Sequence, residues 1–269
     1  MTSKIITQKN GNGIFNRKEW IRESQKLYIS AKLLREQGDN ARQRIREMET
    51  RNNEVIILID IVTASDKSSR LLLGYAFEML LKSAVLLLNY GAKKETIEKI
   101  FRDYGHKLDV MAKDLDLSMD EHEKELLHIL SKDILLQARY PLKVENDSEY
   151  LNEVNKLTRE HANKNKFMEL VGLYDEIKNI VSRFDKDPSN CATLNKYTCK
   201  DFTVFFRSGG GLKSRAIISF NNPEFESKRK EYVKESIRNG AGKISPLFLY
   251  NWDKFEFYED HNKKLKPMD

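Results

Sequence analysis

A chain of 269 residues with 40% apolar and 33% charged side chains can bury a core of its own, which excludes both a disordered protein and a miniature fold held by staples. Its 47 basic and 41 acidic residues leave a net charge of only +6, so most charges read as solvated helix faces, with a polyanion partner as the sharper alternative. Cys191 and Cys199 are too few for a disulfide framework or a zinc site, and they point to a reducing, cytoplasmic setting with no metal and no cofactor.

Residues 1–16 are polar, contain Gly11 and Gly13, and read as a flexible arm rather than a secretion signal. In residues 17–36, Trp20, Leu27, Ala31 and Leu34 recur at helical spacing, and Gly38 follows as a stop. Residues 40–53 carry Arg42, Arg44, Arg46 and Arg51 among polar neighbours, the pattern of an exposed helix or linker. The β-branched run 55–63 fits a buried strand by content, but its flanks lack strand turns, so it is read as a helix entering the core. Neither this run nor any other is long enough to span a membrane.

The strongest element is 66–90, where Leu73, Phe77, Leu80, Leu81, Ala84, Leu87 and Leu88 make a wide apolar face that Gly91 ends. Short helices follow over 94–103 and 107–115, separated by Tyr104, Gly105 and His106. Ser118 with Glu121 forms a capping pattern that opens a helix over 119–138, and Pro141 stops it. Asn146 to Ser148 cap a long helical stretch reaching Arg183, with a polar middle that bends or breaks it, and Pro188 marks the clearest boundary in the chain. Beyond it, 202–206 and 216–220 are β-rich runs joined by a glycine turn, 223–239 returns to a charged helix, 247–257 is an aromatic cover, and 263–269 reads as tail.

Arg207, Lys213 and Arg215 lie beside Phe205, Phe206 and Phe220, a mixture of cations and rings that suits single-stranded nucleic acid. The plainer account has the rings in a small core and the cations in water. A sharper constellation is Glu78 and Lys82, one helical turn apart at the border of the apolar face, with His106 and Arg139 at loop junctions able to close over them. A purely structural polar cluster is the competing account, because ion pairs also perturb titration without reacting.

The segment from Gly74 to Lys82, then Gly105, His106, Lys107 and Leu108, then Arg139, Tyr140 and Pro141, together resemble in order and separation the HEPN-like superfamily of prokaryotic helical domains. The resemblance covers about half the chain, through Arg183. It implies a mainly α fold, an antiparallel helical bundle over 17–184, and a homodimer, while the strand and helix pattern beyond Pro188 adds a small α+β appendage over 191–262 that the resemblance does not cover. It also implies a place in phage defence or toxin–antitoxin systems and an association with RNA cleavage or nucleotide binding. Ribonuclease members carry an arginine, four to six residues, then a histidine; here three residues separate Arg102 from His106 and one separates Arg159 from His161, so that spacing is absent.

If the chain cleaves RNA, His106 is the acid or base, Arg139 or Arg102 the phosphate clamp, and Glu78 the group that orients the histidine. Lys82 and Tyr140 would border a nucleotide cleft, and Arg207, Lys213 and Arg215 would hold the strand. The rival is a non-catalytic module whose bundle homodimerises and whose aromatic C-terminal part docks a partner protein.

Overall fold

The computed structural model describes residues 5–6, 11–48, 53–137, 146–221 and 229–268. It is mainly helical, with a five-stranded sheet near the C-terminal end. Arg139, Tyr140 and Pro141 lie outside the described residues.

Two long helices set the frame. Helix α1 (Arg17–Glu47) begins at Asn16, whose side chain accepts the Lys18 amide at 3.0 Å. Helix α2 (Asn53–Leu88) spans 36 residues, about 54 Å at the usual helical rise. Their contacts run in opposite directions along the chain. Ser24 donates to the Ala76 carbonyl, Gly38 lies against Ser65, and Arg44 pairs with Glu54, so the two form an antiparallel hairpin.

Gly38 does not stop α1. A methyl group there would sit 3.1 Å from the Ser65 Cβ, so the missing side chain lets the helices approach while α1 continues another nine residues to Glu47. The run 55–63 is helical, as expected, but it does not enter the core. Of its residues only Leu58 is buried, while Ile56, Ile57, Ile59 and Ile61 face water. The half of α2 that follows is enclosed, and all seven residues of its expected apolar face are buried.

Around that inner half pack α3 (Lys94–Tyr104), α4 (Leu108–Asp114), α5 (Glu121–Lys132), a π-turn (Asp133–Gln137), α6 (Asp147–Ala162) and α7 (Lys164–Arg183). The capping box on α5 is Asp120 with Glu123 rather than Ser118 with Glu121: each side chain accepts the other residue's amide at 2.8 Å. The sequence holds both overlapping patterns, and the carboxylate pair is the one used. The polar middle of the last helical stretch breaks at Asn163, which caps α7 by accepting the Lys166 amide.

The sheet runs in the order β1 (Thr193–Thr198), β2 (Phe202–Ser208), β3 (Arg215–Phe220), β4 (Glu256–His261), β5 (Lys264–Pro267). All neighbours are antiparallel except β3 and β4, whose parallel pairing needs the crossover supplied by α8 (Arg229–Gly240) and α9 (Ser245–Leu249). Strand periodicity splits the side chains between two layers. Phe205 and Ile217 meet the helical body, whereas Phe202, Val204, Phe206 and Ile218 pack on Val233, Ile237, Phe248 and Trp252. The residues expected as a tail form β5, so the sheet extends past residue 262.

The expected N-terminal arm is anchored where it is described. Ile6 is fully buried, and its amide and carbonyl pair with Ala92 and Gly91 at 2.9 Å each. Helix α2 is long and apolar enough to cross a membrane, but 78% of its most apolar window is buried inside the fold, which fits a core helix.

Candidate functional site

Glu78 projects from the inner half of α2 and is 3% exposed. A carboxylate this deep requires partners, and it has two on different elements. Lys82, one turn along α2, donates to Oε1 at 2.6 Å, and the Nδ1 of His106 lies 2.7 Å from Oε2. Gly105, at φ +55°, makes the turn between α3 and α4 that brings His106 back onto α2. The Lys82 ammonium also sits 5.9 Å from the Phe101 ring, and Tyr75 meets the imidazole edge-on.

The sequence therefore brings Glu78, Lys82 and His106 together as expected. Glu78 and Lys82 are buried, and the His106 side chain, 22% exposed, closes the cluster at its rim. With Nδ1 committed to Glu78, Nε2 is the ring nitrogen left for other chemistry. Arg102 is exposed near the end of α3 and makes no ion pair with a described residue.

Of the cations expected beside the rings, Arg207 and Arg215 are buried rather than in water. Arg207 and Arg215 share the parity of Phe205 and Ile217, so they point into the layer between sheet and helices. Arg207 pairs with Asp185, and burial holds its pKa below the usual guanidinium range. Arg215 donates to Asn89 at 2.8 Å and Asp114 at 3.0 Å, contacts Glu256, and lies over the Tyr258 ring. Lys213 alone stays partly exposed, 3.9 Å from Glu256. The two arginines clamp the sheet to the helical body, which the short-range sequence pattern could not reveal because Asp114 and Asp185 are distant in the chain.

A second buried polar network passed unnoticed in the sequence. Arg35 donates to the carbonyls of His161 and Ala162 at 2.7 and 2.6 Å, and Arg70 donates to that of Glu160 at 2.9 Å. These guanidiniums satisfy the carbonyls that the end of α6 leaves open. Arg35 also meets Asp66 at 3.1 Å, and Arg70 meets Asp133 at 2.5 Å. Burial, reinforced by Arg70 and Lys67, pushes the His161 imidazole down to about 4, so it stays neutral in this cationic setting.

Beside this network a groove of about 1020 Å³ runs between α1 and α7. Lys32, Arg42, Arg46 and Lys164 line it against Glu36 and Asp39, giving the wall an excess of positive charge. Comparison with family models, with curated proteins and with solved structures returned no match.

Proposed function

We propose that the chain works as a non-catalytic, homodimerising interaction module of HEPN-like kind, with a second copy covering the outer end of the α1–α2 hairpin. The observation that carries this reading is the exposure of Ile56, Ile57, Ile59 and Ile61 over two turns of one helix. A helix apolar nearly all round belongs in an interior, yet of the residues 55–63 only Leu58 is buried. Charge favours a second copy as the occupant. The same hairpin end carries Arg46 on α1 and Asp60 on α2, neither in an ion pair with a described residue, so a two-fold arrangement can set each against its opposite in the mate. Light scattering on the full chain tests this. Wild type is expected as a dimer at micromolar concentration, and I56E/I59E as a folded monomer. A monomeric wild type, or a dimer indifferent to the glutamates, overturns the reading.

A second reading is that the protein belongs to a prokaryotic conflict system and acts on RNA or nucleotides. What favours it is the histidine held by a buried carboxylate, an arrangement that fixes the tautomer of a general acid or base. The cationic groove between α1 and α7 would take the polyanion. Incubation with mixed RNA should then give cleavage that H106A abolishes, and binding that weakens steeply with salt. Equal cleavage by both proteins removes the role of His106.

A further inference from the structure

A cavity of about 320 Å³ lies in the layer between sheet and helices, bounded by α3, α4, the end of α2 and strands β3 to β5. Its lining shares no residue with the cluster of Glu78, Lys82 and His106. The layer is tight close by. At Gly91, two residues after the cavity's Asn89, an added methyl would fall 2.5 Å from the Phe205 Cβ, so the gap is local rather than a sign of loose packing.

The walls are apolar side chains that the fold leaves incompletely covered. Ile100, Leu265 and the rings of Tyr104 and Tyr258 are half-buried, and Val110 is 45% exposed. Against them stands the buried Arg215, whose guanidinium lies 4.8 Å from the centre of the Tyr258 ring. Its Nε, Nη1 and Nη2 are directed at Glu256, Asn89 and Asp114.

Both phenols have given their protons to carboxylates: Tyr104 donates to Asp114, and Tyr258 to Glu256 at 3.3 Å. Burial raises both phenol pKa values, so those protons stay in place at neutral pH. What the two hydroxyls and Asp114 offer an incoming molecule is therefore lone pairs. The charges in the lining cancel, Asp103 and Asp114 against Lys107 and Arg215.

We infer that this cavity binds a small, uncharged, flat ring compound bearing an N–H or O–H donor. Two phenol rings and a guanidinium plane stack on a flat ring, and the aliphatic walls cover it. The phenol and carboxylate oxygens accept its donor, and a balanced lining gives no advantage to a charged ligand. The volume suits an occupant at the small end of the organic range. Nothing in this assignment rests on the dimer or on RNA cleavage.

Calorimetric titration of the full chain with indole and 1-methylindole tests it, because the two probes share the flat ring and only indole has the N–H. Wild type is expected to bind indole with a Kd of about a millimolar or tighter, and 1-methylindole about fivefold or more weakly, the loss of one hydrogen bond. L265W and V110W each place a ring in the cavity from a different wall, and should weaken indole binding about tenfold or more. No binding of indole by wild type, equal affinity for the two probes, or an unchanged Kd in either variant overturns the site. Val110 is already partly in water, so V110W decides the matter even if L265W fails to fold.

Discussion

From Ser65 to Leu88, α2 runs through the densest part of the molecule, with Leu73, Phe77, Leu81, Ala84 and Leu88 sealed on every side. From Asn53 to Ala64 the same unbroken helix carries four isoleucines into water, with Ile57 59% exposed. The two halves are similar in apolar content and differ in their neighbours. Among the described residues the inner half shares a core with α4, α5, the π-turn and α7, whereas none of 53–64 joins that core, and the facing end of α1 is a run of arginines and polar residues. Apolar content therefore states what a helix needs to bury, and the rest of the fold decides whether the same chain can bury it. Where it does not, a second surface is called for.

The contrast can be broken or sharpened by substitution. The largest effect belongs to the inner half. Phe77→Ala removes a fully buried ring packed edge-on against Tyr174, and should cost about 3–5 kcal/mol in urea unfolding. A loss near that of a surface change would mean the inner half is not the core. Next comes Arg70→Met, which strands the buried Asp133 and frees the Glu160 carbonyl. We expect roughly 2–4 kcal/mol, moderated because burial already raises the Asp133 pKa and lets it take up a proton.

A smaller effect is pH-dependent. The folded state keeps His161 neutral down to about pH 4, while the unfolded chain protonates it near 6.5. The unfolded state thus binds more protons in that window, and stability from this residue is full above it and falls as the pH drops from 6.5 towards 4, by about 1–3 kcal/mol. Asp133, with its raised pKa, works in the opposite sense, so the measurement is the difference between wild type and H161Q. Parallel stability curves for the two proteins contradict the assignment. The smallest effect is on the outer half: Ile57→Ser should change the stability of the isolated protomer by less than about 0.5 kcal/mol, since the side chain is already in water there.

The inner half was legible because its apolar residues repeat at helical spacing, and Gly105 announced the turn that carries His106 to Glu78. Gly38 was misread because a glycine that ends a helix and one that lets two helices touch look alike, and Ser65, which decides between them, lies 27 residues on. Strand β1 escaped notice because Thr193 to Thr198 is an edge strand with no apolar alternation, and β5 because it is four residues long and ends on a proline. The parity of Arg207 with Phe205 was readable in the sequence. Its meaning was not, since it depends on Asp185, which only the fold brings near.

Hydrogen–deuterium exchange, comparing wild type with I57E at the same micromolar concentration, tests most directly whether another copy of the chain shelters the outer half of α2. Amides of residues 53–64 are expected to exchange slowly in wild type and fast in the variant, while those of 65–88 stay equally slow in both. Equal exchange over 53–64 in the two proteins would contradict it.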